Sequence, residues 1–339
     1  MPQAELNFAV LLNAHAKQVN PAVLANVEEL VPPDRLFVSH SEEEGQELTD
    51  RILKRGFETV FTGGGDGTVV HFINEVIHRA EDAHTLEVDQ IPSIGILRLG
   101  TGNALAEMVS SGSYLTDLQA FVRNHHRDYH VLPLVELEKR RFPFAGLGWD
   151  AELLNDYVEI KRRVRGTALS PLFENVGGYF GALFMTTIPR RTAAHLRGVQ
   201  SVVRVTTTTG EAWRANDDGS EGERFAPGTV LYEGPANCLI VGTCPYFGYG
   251  MKVLPFANQS SQFMQLRVIR LGLSSILANL KPVWQGTFRD EGILDFMVQG
   301  VHLEFEDEMP YQEAGDAMGY RREVDFHVSE TKVNLLRFI

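Results

Sequence analysis

Val60-Phe61-Thr62-Gly63-Gly64-Gly65-Asp66-Gly67-Thr68 is the stretch whose reading decides the rest. The β-branched and aromatic run 59–62 predicts a buried strand that stops at three glycines, and Val69, Val70, Ile73, Val76 and Ile77 follow at helical spacing. The order is therefore strand, glycine turn, helix. Such a turn suits phosphate chemistry, because glycines let the backbone approach an anion and the free N–H groups of a helix start point at it. Asp66 would repel a bare phosphate, so its natural partner is a divalent cation carried by a nucleotide, or a proton to be moved. A structural turn with Asp66 as a helix cap explains the same residues and stays open.

Upstream, residues 6–12 predict a buried strand ending at Asn13-Ala14-His15-Ala16, and Pro21 opens a helix through residue 30. A short strand at 36–39 and an acidic-starting helix at 42–55 follow. Downstream, a strand at 91–97 runs into a second glycine turn, Gly100-Thr101-Gly102-Asn103, ahead of a helix at 104–109. Alternating strands and helices indicate a mostly parallel sheet with ligands at the C-terminal ends of its strands. Two glycine turns on successive strands are expected on one rim, where a phosphate chain accounts for both. No Gly-Lys-Ser/Thr follows either turn, and Leu105 stands where a dinucleotide fingerprint needs Gly or Ala. Helix capping accounts for Thr101 and Asn103 as cheaply as binding does.

The 339 residues favour about two domains, and a net charge of −13 argues against a nucleic-acid binder. Residues 1–7 lack the basic start and apolar core of a signal peptide, and no apolar run has the length of a membrane span. Cys238 and Cys244 are too few for a disulfide framework, so a cytoplasmic protein is expected. After residue 130 the texture changes. Strands are predicted at 131–137, 141–145, 202–207 and 238–242, helices at 151–163 and 172–188, and a polar surface loop at 216–222. The expectation is an α/β nucleotide domain over 1–130 and a β-sandwich-rich domain over 131–339, with a C-terminal segment that could return to the first domain.

Gly64-Gly65-Asp66-Gly67-Thr68, followed by Ile96-Leu97-Arg98-Leu99-Gly100-Thr101-Gly102-Asn103-Ala104-Leu105-Ala106, resembles the catalytic domain of the diacylglycerol kinase family, which includes bacterial lipid kinases and sphingosine kinases. Ala145-Gly146-Leu147-Gly148-Trp149-Asp150-Ala151 and Gly242 to Met251 are similar to two later segments of that family. The resemblance implies a nucleotide domain of the phosphofructokinase and NAD kinase type and ATP and Mg²⁺ as cofactors. It also implies transfer of the γ-phosphate to a hydroxyl of a diacylglycerol-like or sphingoid lipid. By motif matching, Asn13, Ser39, Gly64, Gly65, Asp66, Gly67, Thr68, Gly100, Thr101, Gly102 and Asn103 bind the nucleotide, and Asp66 also meets its magnesium. Asp66 and Asp316 are the catalytic candidates.

Three departures accompany the match. The family's late Asp-Gly-Glu stands here as Ala314-Gly315-Asp316, with Glu313 one position early. Where the family's Asp-Asp-Gly-Leu-Leu-Asp holds a structural magnesium, this chain has Ser260-Ser261-Gln262-Phe263-Met264-Gln265, and Asp290 to Asp295 lies too late and reads as a turn entering a strand. His71 stands where the family often carries an acid; it, His15 and His40 show no metal-ligand spacing. A catalytically impaired member that binds nucleotide or lipid as a sensor or partner therefore remains the alternative, and a soluble nucleotide kinase of the NAD kinase type is a third. From spacing alone, Asp316 is an exposed turn aspartate.

Lys161-Arg162-Arg163-Val164-Arg165, Arg190-Arg191 and Arg197 flank apolar runs. That pattern suits peripheral docking on the inner face of a membrane, where the lipid substrate lies, or a solvated helix face. A homodimer is left open.

Overall fold

The computed structural model describes residues 6–83, 91–124, 128–152, 154 and 201–338. They fall into two units. Unit 1 is Met1–Leu134, Tyr246–Gly250 and Ser329–Ile339; unit 2 is Val135–Pro245 and Met251–Val328.

Unit 1 is built on six strands: β1 (Phe8–Asn13), β2 (Leu36–Ser39), β3 (Thr59–Gly64), β4 (Ser93–Arg98), β5 (Tyr129–Leu132) and β18 (Val333–Leu336), in the spatial order β2-β1-β3-β4-β18-β5. Every pairing is parallel except that of β5 with β18. Helices α1 (Pro21–Glu28), α2 (Glu42–Lys54), α3 (Asp66–Ala83), α4 (Ala104–Met108) and α5 (Tyr114–Asn124) connect them. Local chemistry sets several ends. The Asn20 side chain accepts the N–H groups of Ala22 and Val23 before Pro21 starts α1. Ser41 caps α2, whose first turn carries Glu42, Glu43 and Glu44 and whose last carries Arg51 and Lys54, matching the helix dipole. On one face of the sheet, alternate residues Phe8, Val10 and Leu12 of β1 pack with Val23, Val27 and Phe121.

The strand predicted to stop before the glycines does not. Gly63 and Gly64 remain in β3, paired with Leu97 and Arg98. A Cβ on Gly63 would lie 2.2 Å from Leu12 Cδ2, so glycine serves close packing there as well as the turn.

Unit 2 holds β6 (Val135–Leu137), β7 (Arg140–Phe142), β8 (Phe144–Gly148), β9 (Ser201–Thr207), β10 (Ala212–Ala215), β11 (Glu221–Phe225), β12 (Val230–Ala236), β13 (Cys238–Gly242), β14 (Met264–Ile269), β15 (Ile293–Val298), β16 (Gly300–Glu313) and β17 (Asp316–Val328), with short helices α6 (Leu273–Ala278) and α7 (Leu280–Trp284). The strands join in one antiparallel sheet of twelve. β16 changes neighbours along its length: Val301 to Phe305 pair with β9, and Tyr311 to Glu313 with β8. Its register with β17 shifts between Glu304 and Met309, a bulge that lets the strand turn from one neighbour to the other.

The single strands predicted at 131–137 and 141–145 each divide, at Pro133 and Pro143, since proline offers no N–H to a ladder. The first division separates β5 of unit 1 from β6 of unit 2. The predicted helices over 151–163 and 172–188, apart from a helical start at 151, 152 and 154, lie outside the described residues, as do the basic clusters. No helix among the described residues is long and apolar enough to cross a membrane.

Candidate active site

In unit 1 the two glycine corners meet. β3 and β4 are parallel neighbours, so both strand-to-helix turns open on one edge of the sheet. A Cβ on Gly100 would stand 2.2 Å from Gly65 Cα, a separation that only glycine permits. Asp66, at the start of α3, then ties the corners together. Its Oδ2 accepts the Ala104 N–H at 2.8 Å and its Oδ1 the Leu105 N–H at 3.0 Å. Asp66 is thus a helix cap, but of the neighbouring helix α4 rather than its own. Burial pushes its carboxyl above the usual aspartate range, against the pull of those two N–H groups and of Arg98.

The remaining nucleotide candidates gather on the same edge. Asn13, at the end of β1, donates from Nδ2 to Thr68 Oγ1 at 3.2 Å, joining the first loop to the start of α3. A Cβ on Gly64 would collide with the Thr68 side chain. Ser39 pairs with Asn13 across β1 and β2, and its hydroxyl is buried, 3.4 Å from Leu12 O. Asn103 adopts a left-handed conformation (φ 55°) and closes a ring with Gly100, donating to its carbonyl at 3.0 Å and accepting its N–H at 3.3 Å. Its side chain therefore caps nothing in α4, which leaves that role to Asp66. Thr101 is exposed. Gly67 lies in the first turn of α3.

Three further groups complete this edge. Tyr246–Gly250 belongs to unit 1: the Tyr249 N–H donates to Gly102 O at 3.0 Å, and Gly248 packs on Gly102 backbone to backbone. Arg98 pairs with Glu107 and also donates to Ser111 O at 3.0 Å, so its charge is already engaged. His71 Nδ1 lies 3.9 Å from Glu42 Oε1, and its Nε2 is buried without a hydrogen-bond partner.

Asp316 belongs to unit 2. Glu313 and Asp316 face each other at the end of β16 and β17, so Ala314-Gly315 forms a two-residue hairpin turn. Both turn residues have positive φ, 49° and 90°, the pattern of a type I′ turn. Asp316 is exposed at this corner, as its turn reading predicts; crowding around the carboxyl pushes it upward, Arg140 opposes the shift and Glu313 adds to it. Glu313 is the buried acid of the pair. It receives Arg140 Nε at 2.7 Å and the Tyr311 hydroxyl at 2.9 Å. Burial, reinforced by Glu313, raises the Tyr311 phenol well above its usual range.

Asp150 is also buried in unit 2. Its Oδ2 accepts Gln312 Nε2 at 3.2 Å and its Oδ1 the Cys238 thiol at 3.3 Å, while Gln312 Oε1 accepts the Gly315 N–H at 2.8 Å. A buried carboxyl is thereby linked to the hairpin corner through one glutamine.

The family model of the diacylglycerol kinase catalytic domain spans β1 to the end of β5 and the corners between them. Residues 7–134 match that domain. A crystal structure of a diacylglycerol kinase from Bacillus anthracis str. Sterne covers 98% of this chain and 97% of its own, with a TM-score of 0.64 at 16% identity, a likeness that shows the fold. An NAD kinase from Archaeoglobus fulgidus, solved in complex with ATP, covers 97% of this chain and 93% of its own, with a TM-score of 0.43 at 14% identity. No curated protein matches. The diacylglycerol kinase domain match supports a phosphotransferase of the kinase type.

Beside that domain, sequence reading overlooked four residues. Arg98 and Glu107 are local to the second motif, yet nothing in their spacing shows that they pair. Gly248 and Tyr249 lie in the 242–251 segment, whose motif match says nothing of a contact with Gly102.

Proposed function

We propose that unit 1 binds ATP with its phosphates against the start of α3 and the β4-to-α4 corner, and that the protein transfers the γ-phosphate to a lipid hydroxyl. The observation that carries this reading is the meeting of Gly65 and Gly100 with Asp66 bound to the first N–H groups of α4. Asp66 brings the two glycine backbones together, a close approach that suits an anion, and phosphoryl transfer depends mainly on holding such groups in place.

Asn13, Ser39, Gly64, Gly65, Gly67, Thr68, Gly100, Thr101, Gly102 and Asn103 form the nucleotide edge. Each Asp66 oxygen carries one N–H and retains acceptor capacity, which fits a carboxylate that meets a magnesium ion or its water shell. Magnesium bound with the nucleotide supplies charge neutralisation. Asp316, raised above the ordinary carboxylate range, takes the hydroxyl proton. The acceptor class is a diacylglycerol-like or sphingoid lipid, met by a chain docked on a membrane surface.

One observation favours a second reading, a nucleotide- or lipid-binding member without turnover. The hairpin corner presents Ala314 and an exposed Asp316 where the family has two acids. Radiolabelled ATP with a mixed lipid extract separates the two, using wild type, Asp66→Ala and Asp316→Ala. Label entering lipid with wild type and lost in both variants supports the kinase. Label absent from lipid throughout, with ATP still bound in calorimetry, supports the second reading, and absence of ATP binding overturns the kinase and the nucleotide-binding form of the second reading.

A further inference from the structure

The resemblance places a structural magnesium just after Pro255-Phe256-Ala257, but the donors there do not fit one. Magnesium takes hard oxygen ligands, carboxylates above all, and residues 260–265 offer hydroxyls and amides instead. No group of three or more His, Cys, Asp or Glu side chains among the described residues could hold a metal.

A different device occupies this part of unit 2. Arg267 and Asp295 stand directly opposite on β14 and β15 and are both buried. The guanidinium grips the carboxylate with two bonds, Nε to Oδ1 at 2.8 Å and Nη2 to Oδ2 at 2.9 Å, and reaches Val253 O from Nη1 at 2.6 Å. Gln265, fully buried, donates to Asp295 Oδ1 at 2.7 Å and accepts the Phe256 N–H at 2.8 Å. One buried cluster thus holds both a carbonyl and an N–H of the segment that a metal would have to fix.

Charge bears on the same conclusion. The cleft of about 30 Å³ beside Asp295 is lined by Arg214 and Arg289 as well as Asp217 and Asp290. With Arg267 the guanidinium groups equal the carboxylates in number, so little net negative charge is left for a divalent cation. Phe256 is further fixed by Phe263 and Met297 and by Arg289, whose guanidinium lies 5.0 Å from its ring centroid.

We propose that the Arg267–Asp295–Gln265 cluster stands in place of a structural metal, so that unit 2 folds and holds its 253–257 segment without a divalent cation. Magnesium dependence of any phosphoryl transfer then reports the nucleotide-borne ion alone.

The test needs no activity, and its failure would leave the kinase reading untouched. The nucleotide-free full chain is stripped with EDTA, assayed for metal by mass spectrometry, and melted with and without millimolar MgCl₂. No retained magnesium and an unchanged Tm are expected. One magnesium per chain before stripping, or a saturable rise in Tm on adding it back, overturns the proposal, because an ion bound to the folded state alone must raise Tm. Arg267→Lys keeps the charge but loses the fork, so its Tm falls by several degrees and magnesium does not restore it. An unchanged Tm, or rescue by magnesium, counts against the cluster. The wild-type measurement decides the matter if that variant does not fold.

Discussion

The carboxylate of Asp66 accepts two successive backbone N–H groups, those of Ala104 and Leu105, and so binds the helix after one glycine corner to the turn of the other. Asp66→Ala leaves both N–H groups without that partner. The expected loss is about 1–2 kcal/mol in urea unfolding, the range of a missing helix cap. Asp66→Asn keeps one acceptor oxygen and loses the charge. It should recover much of the stability while phosphoryl transfer stays low; recovery of both would make Asp66 a structural cap alone.

Ala314 holds a left-handed backbone that glycine adopts without penalty. Replacing it by glycine should stabilise unit 2 by about 1 kcal/mol, since the penalty for an L residue there is roughly 1–2 kcal/mol and glycine gives back part of it in unfolded-state entropy. A higher urea midpoint with unchanged slope would show this.

Asn103 combines positive φ with two hydrogen bonds to Gly100. Asn103→Ala loses both and strains the backbone, for about 2–4 kcal/mol. Asn103→Gly loses only the bonds and should fall between alanine and wild type. Equal losses in the two variants would mean that the backbone conformation is immaterial.

Burial holds the Asp150 carboxyl above its ordinary range, opposed chiefly by Gln312. A raised folded-state value means that the folded chain takes up the proton more readily than the unfolded one. This contribution to stability is therefore complete below about pH 3.9, the ordinary aspartate value, and is lost as pH rises through the folded value. Asp150→Asn cannot ionise, so its stability should decline less than that of wild type over that window. Urea midpoints across a pH series measure the slope, and parallel curves would exclude the assignment.

Glu313 is buried while its partner Arg140 is exposed. Glu313→Gln keeps an acceptor for Tyr311 and removes the charge that engages Arg140. A loss of about 1–3 kcal/mol, the scale of a hydrogen bond to a charged group, is expected in thermal unfolding.

Where a signal is local, the sequence carried it. Ser41 and its three following glutamates placed α2 to within a residue of its end, and Pro21 placed the start of α1. Helix α5 carries comparable signals, Ser113 before its first turn and Leu118 and Phe121 at helical spacing, yet no helix over 114–124 is predicted from the sequence. In the structure Ser113 accepts the Thr116 N–H and both apolar residues are buried. Non-local facts were not readable. Asp66 could be recognised as a cap or a ligand, but the helix it caps depends on β3 and β4 being neighbours. Asp295 was read as part of a turn entering a strand, because its partner Arg267 is fixed by a strand register that no spacing reveals.

Strand β18 inserts between β4 and β5, although its residues follow the whole of unit 2 in the chain. During synthesis the ribosome releases β1 to β5 long before the strand that joins the last two. β4 and β5 therefore stay unjoined until the whole of unit 2 has been made. A fragment cut after residue 134 would keep both glycine corners, those at Gly65 and Gly100, and still lack the strand that completes their sheet.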